Sequence, residues 1–271
     1  MAHGLTAEKI ERCGDEGFVF PVDVLSADEA EDYHQLYNEA LRHDAGRGGD
    51  VLKLKGHLVL KWMAKLARHP RILDPIESML GPNILCWTST FFVKQPGDQT
   101  YVSWHQDATY WGLGNGQIYS AWVAFTPSNR ESGCMRMIPG SHKKLVPHAD
   151  TFDEKNLLSR GQEVSVNVDE NLAVDIELEP GQMSLHHVQI VHGSFPNVSA
   201  VPRIGFVVRY ISTQTEQTAG IRDSAMLVRG EDTFGHFDLE SAPDRDFDPE
   251  ALAHFDKLRE QRKQILYREV S

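Results

Sequence analysis

From Ile84 onward the chain is a succession of short segments rich in β-branched and aromatic residues, and few folds can hold such a succession. ILCWTSTFFVK, TYVSWHQ, QIYSAWVAFT, CMRMIPG, AVDIELEPG, MSLHHVQIVH and RIGFVVRYIS follow one another between residues 84 and 212. Turn-forming stretches part them: QPGDQ, GLGNG, PSNRESG, EPGQ and SFPNVSAVP. Short strands with turn punctuation, and no helical periodicity between them, point to an antiparallel sandwich or barrel rather than to alternating βαβ units.

The flanks read as helical. Residues 6–16 open on Thr6 as N-cap and run to Gly14 or Gly17. GFVFPVDVL (17–25) reads as a strand, and Pro21, which has no N–H to donate, demotes it to an edge. Ser26 to Glu29 spell a capping box, S-A-D-E, for a helix reaching about Arg42. HDAGRGGD (43–50) reads as a loop, 58–68 as a helix, and 69–83 as a helix with Pro70 in its first turn and Gly81–Pro82 at its stop. The tail DPEALAHFDKLREQRKQILYREV is helical, with an acidic start and a basic end that suit the helix dipole. The expectation is one domain, mainly β with flanking helices. A helical buttress with a first strand (1–83) precedes a double-stranded β-helix core (84–215), jelly-roll and cupin-like, followed by a loop and a C-terminal helix (216–271).

The formal net charge is −12. That disfavours nucleic acid and anionic membranes as partners, since both reward clustered Lys and Arg. Cys13, Cys86 and Cys134 are widely spaced and form no C-x-x-C, which argues against a disulfide framework or a thiolate zinc site and fits a reducing compartment. No apolar run reaches the roughly 18 residues a membrane span needs, and MAHGLTAEKIERCGDEG lacks the basic and apolar regions of a signal peptide. A cytoplasmic protein with a small-molecule partner is expected, its oligomeric state left open.

Chemistry enters through histidine and carboxylate. A redox metal that must take both a co-substrate and dioxygen needs open positions, and two His with one carboxylate leave three. The pattern is H-x-D on a strand, where i and i+2 share a face, with a second His far along the chain. H-x-D occurs four times: His105–Asp107, His148–Asp150, His236–Asp238 and His254–Asp256. His254 falls on the C-terminal helix, where i and i+2 diverge. His236 falls in an acidic, turn-rich stretch, and His148 follows a proline in a loop. His105–Asp107 alone ends an apolar strand. His192, closing MSLHHVQIVH, is the expected third ligand. Eleven residues on, Arg203 opens RIGFVVRYIS, and a hairpin through FPNVSAVP puts it on the neighbouring strand with its guanidinium in the same cavity. A buried Arg needs an anion, and a carboxylate matches its planar fork.

Here the chain resembles a known family. SWHQDATYW (103–111), SAWVAFTPSNRESGCMRMIPGSHK (120–143), HGSFPNVSAVPR (192–203) and the helix ending in LGPN (80–83) are similar to the phytanoyl-CoA dioxygenase-like family of iron(II)/2-oxoglutarate-dependent oxygenases, and the likeness runs roughly from Gly17 to Thr213. The resemblance implies that His105, Asp107 and His192 are catalytic and bind iron(II). It implies that Arg203 and Ser194 hold the distal carboxylate of 2-oxoglutarate, that Trp122 borders this co-substrate, and that Lys53 or Lys55 adds a contact. PGSH (139–142) becomes a structural corner, and the double-stranded β-helix is implied a second time. Halogenating relatives carry a small residue in place of the carboxylate. Asp107 stands here, so the resemblance implies hydroxylation, with dioxygen consumed and succinate and carbon dioxide formed.

The substrate is barely encoded. Trp111 matches an aromatic that lines the substrate cavity in small-molecule members, Tyr110 and Phe92 extend an aromatic wall, and Lys94 and Arg136 suit an anionic substrate. Amino acids, zwitterions, phosphonates and natural-product acids all fit, and a CoA thioester fits less well for want of a basic patch. Two other classes stay open on the residues: a zinc-type metallohydrolase, which has no use for a buried Arg203, and a non-catalytic β-barrel ligand-binding protein.

Overall fold

A computed structural model describes residues 3–43, 47–114, 118–158 and 160–266. The N-terminal part comprises α1 (Ala7–Glu16), β1 (Phe18–Asp23), α2 (Ala27–Arg42), α3 (Arg47–Lys53), α4 (Lys61–Ala67) and α5 (Pro70–Leu80). The expected caps are present. Thr6 Oγ1 accepts from Lys9 N, α1 stops on Gly17 at φ 88°, and Ser26 and Glu29 bond each other's backbone N–H reciprocally. One element departs from expectation: the stretch read as loop over 43–50 is helical from Arg47 on. Its glycines suggested a loop, but Gly48 serves packing. A Cβ there would lie 1.7 Å from the Ala40 carbonyl oxygen, so only glycine lets α3 press against the backbone of α2. Residues 44–46 of that stretch lie outside the described residues.

The strands that follow are β2 (Ile84–Lys94), β3 (Val102–His105), β4 (Ile118–Ala124), β5 (Met135–Met137), β6 (His148–Asp150), β7 (Gln162–Val164), β8 (Val174–Ile176), β9 (Gln182–His187), β10 (His192–Ser194), β11 (Arg203–Ser212), β12 (Ser224–Arg229) and β13 (Asp238–Leu239), with α6 (Ala108–Trp111) after β3 and α7 (Pro249–Leu266) at the end. They form a seven-stranded sheet in the order β1-β9-β4-β11-β2-β12-β13, a four-stranded sheet in the order β3-β10-β5-β8, and a β6-β7 ribbon. This is the jelly-roll expected, and β1 with Pro21 lies at an edge. Alternation sorts the large sheet into two faces. On β11, Ile204, Phe206, Val208 and Tyr210 join Trp62, Leu66, Ile72 and Ile76 of the helices in the main core. Val207 packs inward with Trp122 of β4, Met137 of β5 and Ile176 of β8. The helices thus seal the outer face, and the inner face is left to build a cavity against the small sheet.

Three further expectations are corrected by the topology. MSLHHVQIVH is not one strand: it gives β9 to the large sheet, turns where Ile190 N bonds His187 O, and gives β10 to the small one. FPNVSAVP is not a hairpin, because β10 pairs with β3 and β5 while β11 pairs with β2 and β4. Both segments carry the chain between sheets, and a run of apolar residues looks the same whether or not it changes sheets. Finally, strand structure continues beyond residue 215, since β12 adds to the edge of β2 in a stretch read as loop.

Behind the large sheet lies a buried ion-pair network. Lys55 Nζ reaches Glu240 Oε1 and donates to the Ser224 carbonyl at 2.7 Å, and His57 Nε2 sits 3.0 Å from Glu240 Oε2 with its Nδ1 2.9 Å from Ser89 Oγ. Lys55 is therefore committed here and not at a co-substrate, while Lys53 lines a separate cavity beside Leu52 and Gln95. Burial would raise the Glu240 carboxyl, but Lys55 and His57 prevail and hold it at about 2. Glu240→Gln leaves Lys55 buried without its counter-charge and should cost about 3 kcal/mol at pH 7, read as a fall in Tm of roughly 6–12 °C. The carboxylate's contribution is present above the ordinary value of 4.5 and is lost as pH falls toward 2. Melting curves of the two proteins should therefore converge in acid.

Candidate active site

The site begins with a strand pair. His105 of β3 and His192 of β10 are directly opposed in the antiparallel register, with ring centroids 4.1 Å apart. Each ring's Nδ1 faces a carbonyl two residues back: Ser103 O at 2.9 Å for His105 and Ile190 O at 3.0 Å for His192. With Nδ1 donating, each Nε2 is left as a lone pair toward the shared centre. Such carbonyl partners fix the tautomer and raise the ring's basicity as a ligand. Asp107 follows at the start of α6 with Oδ1 3.3 Å from His105 Nε2. One ligand atom from each of the three lies within 4.8 Å of the others, the single such His/Cys/Asp/Glu cluster among the described residues.

The middle residue of H-Q-D explains how the pair is held. Gln106 is fully buried, pointing away from the centre. Its Nε2 donates to Lys144 O at 2.8 Å and Gln189 O at 2.6 Å, and its Oε1 accepts from Val146 N at 2.9 Å. It ties the end of β3 to the two loops that flank His192. Burial would raise the Asp107 carboxyl, but the adjacent His105 and His192 imidazoles hold it well below the usual range. Burial, then the charge of His105, push His192 down to about 4, which keeps its ring neutral and free to coordinate at neutral pH.

The cavity under these residues is walled on the other side by the inner face of the large sheet, including Phe92, Trp122 and Arg203 from the expected set, while Ser194 joins it from β10 of the small sheet. Arg203 is 1% exposed. Its Nη1 donates to Gly133 O at 2.6 Å, its guanidinium lies 5.4 Å from the Trp122 ring centroid, and its Nε has no hydrogen-bond partner among the described residues. Trp122 lies over Gly205, where a Cβ would come within 1.9 Å of the indole. Lys94, opposite Arg203 in the β2–β11 register, donates to Ser194 Oγ at 2.7 Å and to Phe195 O. It stands behind Ser194 and beside Arg203, not at a substrate wall.

Other expected substrate residues are also placed elsewhere. Arg136 sits between Met135 and Met137 on β5, and alternation turns it outward, to Glu170 at 2.7 Å and Asp175 at 3.1 Å in a separate cleft. Tyr110 is buried edge-on to His148. Trp111 packs on Trp87 and reaches the cavity indirectly, under Arg209. Of the other H-x-D pairs, His148 stands on β6 rather than in a loop, accepting from Gln106 N at 2.8 Å, and Asp150 pairs with Arg160. The cavity also holds three polar residues the sequence did not single out: Ser120, His186 and Arg209. Arg209 had a legible signal, being six residues past Arg203 on one strand and hence on the same face.

Comparison with known proteins adds to this geometry. Residues 14–205 match the family model described as phytanoyl-CoA dioxygenase. A probable alpha-ketoglutarate-dependent hypophosphite dioxygenase from Stutzerimonas stutzeri is 28% identical over 69% of this chain and 69% of that protein. An ectoine dioxygenase from Sphingopyxis alaskensis is 25% identical over 76% of each. The apo structure of the non-haem monooxygenase ThoJ covers 94% of this chain and 96% of its own at 38% identity and a TM-score of 0.84. CytC3 with iron(II) and alpha-ketoglutarate shares the fold, at 24% identity, a TM-score of 0.69 and coverage of 91% and 96%.

Gln106→Leu strands three part-buried backbone groups and frees the strand end that carries His105 and Asp107. It should cost about 3 kcal/mol and weaken iron(II) binding roughly tenfold or more, checked by thermal melts and by anaerobic metal titration.

Proposed function

Because the chain belongs to the phytanoyl-CoA dioxygenase family and is an iron(II)/2-oxoglutarate-dependent dioxygenase, we propose that it hydroxylates a C–H bond of a small organic molecule such as an amino acid, zwitterion, phosphonate or natural-product acid. In this reading His105, Asp107 and His192 hold the iron. The donor set fits: two imidazole nitrogens with fixed tautomers and one ionised carboxylate converge on one buried point and leave coordination positions free. Iron(II) so bound, with 2-oxoglutarate and dioxygen, supplies the oxidising power, and succinate and carbon dioxide are the co-products.

One observation carries the reading. Arg203 lines one end of the triad's cavity, Lys94 is buried beside it and reaches the lining Ser194, and among the described residues neither forms an ion pair with a carboxylate. Burial draws the Arg203 guanidinium down to about 10, and burial with the charge of Arg203 draws Lys94 to about 6. A desolvated guanidinium beside an amine that takes up a proton when an anion arrives defines a seat for that anion. The distal carboxylate of 2-oxoglutarate meets the Arg203 fork there, with Ser194 and Lys94 beside it and Trp122 bordering the chain. A metallohydrolase has no need of such a seat. A cytoplasmic location is part of the proposal: Cys13, Cys86 and Cys134 are free and buried, and no helix among the described residues is long and apolar enough to cross a membrane.

The test is succinate formation from 2-oxoglutarate by the iron(II) protein in air, stimulated by members of a small-molecule panel. It should be lost in Asp107→Ala along with bound iron. Wild-type protein that binds iron but never consumes 2-oxoglutarate would overturn the reading.

Anchoring has its own signature. Arg203→Ala should weaken 2-oxoglutarate roughly tenfold or more, on the scale of about 1.4 kcal/mol per decade, with iron content unchanged. A bound carboxylate favours protonated Lys94, so binding takes up a proton. Affinity should fall by up to about tenfold per pH unit above pH 6, and that slope should flatten in Lys94→Met. Both are read by titrating the metal-to-ligand absorption band.

A further inference from the structure

The inner face of the large sheet carries a second polar assembly, distinct from the Arg203 end. Thr88 of β2, Ser120 of β4 and His186 of β9 stand on one rung with Arg209 of β11, since the register pairs Arg209 with Thr88 and with Ser120, and Ser120 with His186. Arg209, Ser120 and His186 line the metal cavity. Thr88, Ser120 and His186 are at most 2% exposed. Thr88 Oγ1, Arg209 Nε, Ser120 Oγ and His186 Nδ1 all lack a hydrogen-bond partner among the described residues. Four neighbouring buried groups without partners are uncommon in a folded protein, where such groups are nearly always satisfied.

Arg209 is held without an ion pair among the described residues. Its guanidinium lies 4.9 Å from the Trp111 ring centroid and 5.7 Å from that of Phe92. The aromatic faces fix its plane and leave its N–H edges to the cavity. The acid that acts on it is Asp107, an electrostatic neighbour rather than an ion-pair partner, and one whose oxygens serve the metal in the reading above. Charge sharpens the point. A divalent metal, the Asp107 carboxylate, the Arg203 guanidinium and doubly charged 2-oxoglutarate cancel, a Lys94 protonated on co-substrate binding adds a positive charge, and Arg209 remains as a further uncompensated cation in a low-dielectric cavity. Arg203 and Arg209 stand six residues apart on β11, so roughly 20 Å of strand separates them. A co-substrate seated at Arg203 and the metal does not fill the Arg209 rung.

We propose that the rung Thr88–Arg209–Ser120–His186 is the receptor for an oxyanion on the primary substrate, so that the substrate is a small acid (a carboxylate, phosphonate or sulfonate) whose reacting carbon is presented to the triad. The proposal rests on the oxygenase reading for the triad and Arg203, and adds the substrate's class. Arg209 supplies charge and fork, the hydroxyls of Ser120 and Thr88 donate, and His186 completes the ring of donors.

Methylphosphonate and acetate are the probes, titrated anaerobically by calorimetry into the iron(II) protein saturated with 2-oxoglutarate, so that the Arg203 seat is filled. One-site binding is expected, weakened at least about tenfold in Arg209→Met and less in Ser120→Ala, with 2-oxoglutarate affinity preserved in both. Arg209→Lys, which keeps the charge and loses the fork, should be intermediate and covers the case in which Arg209→Met does not fold. No saturable binding of either probe to the wild type overturns the proposal. So does an Arg209→Met protein that loses 2-oxoglutarate as severely as Arg203→Ala, since the rung would then serve the co-substrate. Wild-type protein that never binds 2-oxoglutarate defeats the oxygenase reading; if it still binds methylphosphonate and loses it in Arg209→Met but not in Arg203→Ala, the oxyanion receptor stands.

Discussion

The pairing of His105 with His192 across β3 and β10 is the interaction on which the rest of the site depends. A strand alternates its side chains, so a slip of one residue on either partner would send an imidazole to the opposite face. β10 is three residues long and could not secure that register alone. It is held between β3 and β5, and Gln106 clamps the loops at its approach. The Nδ1–carbonyl bonds then aim both rings. Asp107 needs only to follow His105 by two residues to complete the cluster.

The two sheets divide the work. The small sheet supplies the two paired imidazoles, while the large sheet supplies the arginines that face them. The second role requires burial of charge, which is costly in an ordinary core. The helical layer makes it tolerable by sealing the outer face, so that Ile204, Phe206, Val208 and Tyr210 form a continuous apolar core one residue away from Arg203 and Arg209. Alternation along β11 lets one strand serve both surfaces.

How much of this the sequence revealed follows the range of each interaction. The caps of α1 and α2, the edge placement of Pro21 and the shared face of His105 and Asp107 are local and were legible. Arg203 was legible as a cation needing an anion. The helix from Arg47 was not, because the use of Gly48 depends on the Ala40 backbone. The change of sheet inside MSLHHVQIVH was not, because buried strands of either sheet read as apolar runs. Arg136 and Lys94 looked equivalent as cations on strands. Parity on β5 turned the first outward to Glu170 and Asp175, and cross-strand register set the second beside Arg203. His186, Ser120 and Thr88 carry no motif at all: what unites them is a rung across four strands.

The contact between Trp122 and Gly205 constrains how such a chain can change over generations. The indole occupies the space that any side chain at position 205 would need, and it also stacks under the Arg203 guanidinium. Reshaping this floor by a single replacement at 205 meets the ring, and shrinking the ring alone opens a void beneath the arginine. The two positions can drift only together. In kindred sequences a larger residue at the place of Gly205 should be accompanied by a smaller one at the place of Trp122, a linked inheritance imposed by two strands lying side by side.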